Sequence, residues 1–264
     1  MFVMTIDQRG STGDQDRVPA LLDQIAGLEL PEAEQPVFER SVGDEVQGVV
    51  GDASAVVEIA LHALRGGHWY VGIGVGTVVL PPHASPREGT GTAFVAARKA
   101  VELAKGGSQV PLSVVPGIMA GEAAKGFAAG EGVQACANAE AVLRLLGRLV
   151  QDRTEAQWRV VDALRRLGGR GQGQGRHGSQ KHVALELGIS EQSVSRTVLR
   201  SGWQEEWAAR PAASMLLGFA DSRVGQAEED VPAQQPMTVQ QQVPAQQKPA
   251  ARLDVEADRI EGDT

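Results

Sequence analysis

The chain has a single cysteine, Cys136, which excludes an internal disulfide framework and any cysteine-based metal cluster. It also lacks a long apolar run. The first charged side chain comes at Asp7, and no stretch approaches the roughly 18 residues that a membrane span requires. A soluble, cytoplasmic protein with no membrane partner is expected. His177 and His182 have no companion ligands at metal spacing, so neither reads as a metal site. Net positive charge is missing too: the total is −8, with an isoelectric point near 5.2, which argues against a surface that coats nucleic acid along its whole extent.

Against that acidic background one stretch is basic. Asp152 to Trp203 carries nine Lys and Arg against five Asp and Glu, a net +4, while the segments before and after it are each net −6. Within it, Val183, Ala184 and Leu187 share a helical face, Gly188 breaks the helix, and Ser190 starts a second helix with Val194 and Val198 on its inner side. Ala184 is small enough for two helices to cross closely, Gly188 can take a positive φ, and Ser190 can accept a first-turn N–H. This is the spacing of a helix-turn-helix. Its outer face carries Ser190, Glu191, Gln192, Ser193, Ser195, Arg196, Thr197 and Arg200, with Lys181 near the start of the preceding helix. Such side chains reach base edges and phosphates in a major groove, and Gln192 can pair bidentately with adenine. One unit of this size buries little DNA, so a homodimer on double-stranded DNA is expected, reading two half-sites about 34 Å apart.

At 264 residues and 42% hydrophobic, the chain can bury one sizeable core and a smaller second one. In order, Phe2 to Ile6 reads as a strand, Val18 to Leu28 as an amphipathic helix, and the runs on either side of Gly43-Asp44-Glu45 as a hairpin. Ala53 to Leu64 reads as a helix. Trp69 to Leu80 alternates Gly with Val and Ile, which suits a strand that a neighbouring backbone or ligand approaches closely. A helix over Thr92 to Ala104 and a strand over Val110 to Val115 follow. This order fits a ferredoxin-like α/β sandwich within an α+β chain rather than a doubly wound sheet. Asp7 at the end of the first strand and Asp44 at the hairpin tip meet at one sheet edge, where two carboxylates can hold Mg²⁺.

Gly117 to Gly126 is open between a short helix and a lid. Asn138 is positioned to cap a helix from Ala139 to Gln151, and Thr154 starts another carrying Trp158, Val161 and Leu164. Gly168 to Gly178 reads as a flexible basic loop, Glu205 to Ala220 as a closing helix, and the acidic, Gln- and Pro-rich remainder as disordered. The expected divisions are 1–135 for the α/β unit, 136–152 for a connecting helix, 153–221 for the helix-turn-helix domain and 222–264 for the tail.

Several of these stretches resemble known motifs. Asp7-Gln-Arg-Gly10-Ser11-Thr12 resembles the Asp-x-x-Gly-Phe-Thr turn of class III nucleotide cyclases. Arg40-Ser-Val-Gly43-Asp44 resembles their Lys-Thr-x-Gly-Asp hairpin and the corresponding hairpin of diguanylate cyclases. Val71 to Gly76 is similar to the strand Arg-x-Gly-Ile-x-x-Gly, and Ala96-Ala97-Arg98 to the helix Asn-x-Ala-Ala-Arg. As a whole, residues 1 to 220 resemble the SatD family of bacterial proteins, through Gly43-Asp44-Glu45-Val46-Gln47, Ala97-Arg98-Lys99-Ala100 and the C-terminal helix-turn-helix. The resemblance implies a class III cyclase-like fold, Asp7 and Asp44 as ligands of Mg²⁺ bound with a nucleotide, and a nucleotide site that includes Gly10, Ser11, Arg40 at the base and Arg98 at the phosphoryl group. The position of the cyclase transition-state asparagine holds Phe94, whose ring cannot donate that hydrogen bond, so turnover is not expected. The reading is a DNA-binding transcriptional regulator with a degenerate cyclase-like sensor domain. Its rivals are an active cyclase or nucleotidyl enzyme with an appended helix-turn-helix, and a protein-interaction module.

Overall fold

A strand can be buried along its whole length only if both of its faces are covered. The computed structural model, which describes residues 1–30, 36–81, 84–107, 109–117, 127–168 and 176–229, places such a strand, β1 (Phe2–Gln8), in the middle of a sheet. β2 (Phe38–Arg40), β3 (Glu45–Val50), β4 (Trp69–Val75) and β5 (Leu112–Pro116) complete it in the order β2-β3-β1-β4-β5. β1 runs antiparallel to β3 and β4, β2 runs antiparallel to β3, and β4 pairs parallel with β5. The chain is therefore mixed α+β, a five-stranded mixed sheet with eight helices among the described residues.

Side-chain alternation divides the sheet's two faces. Phe2, Met4 and Ile6 join a core with α1 (Val18–Ala26), α2 (Ala53–Arg65), α4 (Phe127–Gln151) and α8 (Trp203–Glu229). Val3 faces the other way, onto α3 (Thr92–Lys105), where it packs against Ala93 and Ala97. The glycines of β4 make that second packing possible. A Cβ on Gly72 would lie 2.3 Å from the Val101 nitrogen, and one on Gly74 would lie 2.1 Å from the Ala93 oxygen. The close neighbour expected at this strand is the backbone of α3.

Two helices are longer than the sequence suggests. Asn138 does not cap a helix; it lies inside α4, where its Oδ1 accepts from Gln134 Nε2 at 3.0 Å. Gly130 and Gly132 also lie inside α4, and Gly132 stands where α8 crosses, with a Cβ position 3.3 Å from Val224. Tertiary packing outweighs propensity there. For the same reason α8 starts at Trp203 and runs past Ala220 to Glu229, because Ala220 and Val224 continue the buried stripe begun by Ala213 and Leu217. Residues 222–229 are thus helical, whereas the rest of the expected tail, together with residues 31–35 and 118–126, lies outside the described residues.

α5 (Glu155–Gly168), α6 (Arg176–Leu187) and α7 (Glu191–Arg200) share a small core of Val160, Ala163, Leu164, Val183, Ala184, Val194 and Val198. The expected loop at 168–178 is shorter at its end, since α6 already begins at Arg176, and Arg170 lies outside the described residues. Charge ties this group of helices to the rest. Arg65 of α2 grips Asp162 of α5 through two bonds of 2.8 and 2.6 Å, and its guanidinium lies 3.9 Å from the centre of the Trp158 ring. Glu58 of α2 pairs with Arg165 of α5 and Arg210 of α8. Arg210 also pairs with Glu206, and Glu206 with Arg153, so α2, α5 and α8 meet in one chain of ion pairs.

Candidate functional site

The sheet edge holding the expected carboxylates is built by β1, the β2–β3 hairpin and the end of α3. The hairpin closes with Ser41 N donating to Glu45 O at 2.8 Å and Glu45 N to Val42 O at 3.0 Å, with Gly43 at φ 60°. That turn sets the register. Asp7 stands opposite Glu45, and Asp44 comes one residue earlier, its carbonyl accepting from Gln8 N at 3.3 Å. Asp44 is still near enough for its charge to raise the Asp7 pKa. Burial is the larger cause and pushes both Asp7 and Glu45 above the usual carboxylate range. One oxygen of Glu45, Oε1, is buried without a hydrogen-bond partner.

Positive charge answers this cluster from α3. Lys105 Nζ lies 3.0 Å from Asp7 Oδ2 and 2.9 Å from Glu102 Oε1, and exposed Arg98 directs its charge toward Glu45. Among the described residues, no group of three or more His, Cys, Asp or Glu is arranged to hold a metal ion.

The turn after β1 lies beside the hairpin. Buried Gln8 holds it from both directions, donating to Gln15 O at 2.8 Å and accepting from Arg17 N at 2.9 Å. Gly10 takes a positive φ of 64° there, and Gly10 and Ser11 are exposed. Arg40 crosses from β2 to pair with Asp16 and donates to Gly43 O at 2.7 Å, and its guanidinium holds the Asp16 carboxyl below the usual range. Asp7, Gly10, Ser11, Arg40 and Asp44 thus gather at one end of the sheet, while Arg98 approaches from α3. Phe94 is absorbed by packing: its ring joins Val3, Val49 and Val78, and Gly89 leaves room for it.

Sequence reasoning missed Glu45, Gln8 and Lys105. No local signal would have found Glu45, because α1 and β2 lie between β1 and β3 and their register is set only by the fold. Cys136 is buried, and burial drives its thiol up to about 12.

The second candidate surface is the outside of α7. Ser190 caps that helix, accepting from Ser193 N at 3.1 Å, and Gly188 turns the chain at φ 65°. Val194 and Val198 are buried, Thr197 is half-buried, and Gln192, Ser193, Ser195, Arg196 and Arg200 are exposed, as are Ser190 and Lys181. Arg166 is engaged by Glu186, but among the described residues Lys181, Arg196 and Arg200 enter no ion pair. Basic side chains with no internal counter-ion meet the electrostatic requirement for holding phosphates, and the one acid of α7, exposed Glu191, stands in its first turn beside the Ser190 cap. Also among the described residues, no helix is long and apolar enough to cross a membrane. Compared with known protein families, with curated proteins and with solved structures, the chain matches none.

Proposed function

We propose that this protein is a DNA-binding transcriptional regulator, in which α5, α6 and α7 form a helix-turn-helix and α7 is the recognition helix. The observation that carries the reading is the outer face of α7. Gln192, Ser195, Arg196 and Arg200 are exposed together on a helix whose inner side is buried, and the basic side chains there and at Lys181 have no internal partners among the described residues. The short turn at Gly188 and the Ser190 cap support the motif. A homodimer is part of the proposal, because one such unit covers too little DNA for tight specific binding.

The sheet unit is proposed as a degenerate cyclase-like sensor, and the resemblance to the SatD family as a family relationship. The order β1-α1-β2-β3-α2-β4, with β1 between β3 and β4 and antiparallel to both, supports a ferredoxin-like core extended by β5. Two oxygen donors of the kind a divalent cation takes, Asp7 and Asp44, support a cation there, bound once Lys105 gives way from Asp7. Mg²⁺ bound there would screen and orient the phosphates of a nucleotide, with Gly10 and Ser11 lining the turn and Arg40 and Arg98 supplying positive charge. Phe94 belongs to a packed apolar cluster, which favours binding over turnover.

The test is selection from a randomised duplex pool, followed by fluorescence anisotropy at several salt concentrations with the wild type and Arg196→Ala. Enrichment of one sequence, with weaker binding by a variant that melts like the wild type, is expected. A protein that enriches no sequence, and whose weak binding is unchanged in Arg196→Ala, would not be a regulator of this kind.

A further inference from the structure

The outer strip of α7 contains a residue that neither packing nor phosphate binding explains. Leu199 is 72% exposed, although it sits in a short helix whose apolar positions otherwise enter a core. At about 100° per residue, Leu199 points within about 20° of Gln192 and lies between Ser195 and Arg196, on the side away from Val194 and Val198. It therefore belongs to the strip proposed above to face DNA, and an exposed leucine at its centre costs hydration free energy unless a partner covers it.

Building on the recognition-helix reading, we propose that Leu199 is a specificity-determining residue that contacts the C5 methyl of a thymine in the major groove. That methyl is the one apolar feature the base pairs present in the groove, and apolar side chains recognise it by contact. The polar and charged neighbours of Leu199 favour a nucleic acid over an apolar protein surface: Ser195 lies on one side of it and Gln192, Arg196 and Arg200 on the other, and neither arginine has an internal counter-ion among the described residues. The distance also fits. Seven residues separate Gln192 from Leu199, which is about 10.5 Å along a helix rising 1.5 Å per residue. Base pairs advance by about 3.4 Å, so the two side chains address positions about three base pairs apart. Gln192 selects an adenine by hydrogen bonds, and Leu199 selects a thymine by its methyl.

The experiment takes the duplex enriched by the full-length protein and prepares it with thymine or with uracil, which lacks only the methyl, at each position in turn. The wild type is expected to lose about fourfold in affinity at one position, roughly the worth of burying one methyl-sized group. That position should lie about three base pairs from the one whose preference Gln192→Ala relaxes. Leu199→Ala should bind the thymine duplex as weakly as the wild type binds the uracil duplex and should no longer distinguish the two. A Leu199→Ala protein that keeps the wild-type thymine-to-uracil ratio would overturn the proposal, and a simultaneous drop in sedimentation mass would assign Leu199 to contact with a second copy of the chain. Failure of the wild type to enrich any duplex would remove the regulator reading itself, an outcome distinct from enrichment without methyl discrimination. Because Leu199 lies outside the core, its replacement should leave the melting temperature unchanged.

Discussion

Asp7 and Glu45 face each other across the β1–β3 ladder, and burial raises the pKa of both. A carboxylate whose pKa is higher in the folded state than its ordinary value, 4.5 for Glu45, stabilises the fold fully only below that value. Its contribution is lost as pH rises through the folded value. Glu45→Gln removes the charge and keeps the shape, so the variant should melt up to about 3 °C higher than the wild type at pH 7, equivalent to about 1 kcal/mol. The advantage should vanish below pH 4.5. Calorimetric melts from pH 4 to 8 measure the difference, and equal melting temperatures throughout would mean that Glu45 carries no such penalty.

Gly74 tests how closely α3 sits on the sheet. A Cβ there would fall 2.1 Å from the Ala93 oxygen and 2.3 Å from the Ala97 nitrogen, both backbone atoms that cannot rotate away. Gly74→Ala must push α3 off β4, and a loss of about 3 kcal/mol or more is expected in chemical denaturation. Gly107→Ala is a useful contrast. It meets no atom within 4 Å, so its cost comes only from its φ of 101°. A Gly74→Ala protein as stable as the wild type would mean that α3 packs differently.

Arg153 and Glu206 form an ion pair 3.0 Å apart, with each side chain only 1% exposed, and Arg153 Nη1 is left without a partner. Glu206 keeps Arg210 if Arg153 is lost, but Arg153 has no other carboxylate partner among the described residues, so Glu206→Leu alone strands a buried guanidinium and should cost about 3–5 kcal/mol. The double change Arg153→Met with Glu206→Leu should recover much of that loss, because two apolar side chains carry no desolvation penalty. A double mutant that unfolds as readily as the single would show that the network orients α5 against α8 through contacts other than charge.

The legible parts of this chain were those governed by local pattern. The Gly188 turn, the Ser190 cap and the buried Val194 and Val198 could be read from spacing, because each depends on residues a few positions apart. The glycines of β4 announced a close neighbour without naming it as α3. The extents of α4 and α8 were not legible. Gly130, Gly132 and Pro211 carry unfavourable local signals, and of these Gly132 stands against α8, with a Cβ position 3.3 Å from Val224. At the sheet edge, residue types pointed to Asp7 and Asp44, while register, a long-range property, placed Glu45 opposite Asp7 and brought in Lys105 from a helix nearly a hundred residues away.

On the proposed DNA-binding reading, Lys181 and Gln192 make two different kinds of contact. A lysine bound to phosphate contributes one released counter-ion, so Lys181→Ala should weaken binding to every duplex alike and lower the salt slope by about one. Gln192→Ala should leave that slope unchanged and relax preference at a single base pair, by about 1–3 kcal/mol of discrimination. Anisotropy titrations of both variants on the enriched duplex and on a scrambled one give the two readouts. If both variants lose slope equally, Gln192 is not reading a base.

Asp44 decides whether the sheet edge senses a nucleotide. Lys105 now balances the charge of Asp7, so a divalent ion entering there must displace an ammonium held by two carboxylates. Lys105→Met should therefore bind Mn²⁺ more tightly than the wild type, and Asp44→Ala should bind it less tightly in either background. Titration calorimetry with ATP and GTP, with and without Mg²⁺, extends the same logic: metal-dependent heat that disappears in Asp44→Ala would make this edge a nucleotide site. Heat that persists in Asp44→Ala would place binding elsewhere. No heat with any nucleotide, in the wild type or in Lys105→Met, would leave the sheet as a scaffold that fixes α5 through Arg65, Asp162 and Glu58, with recognition confined to α7.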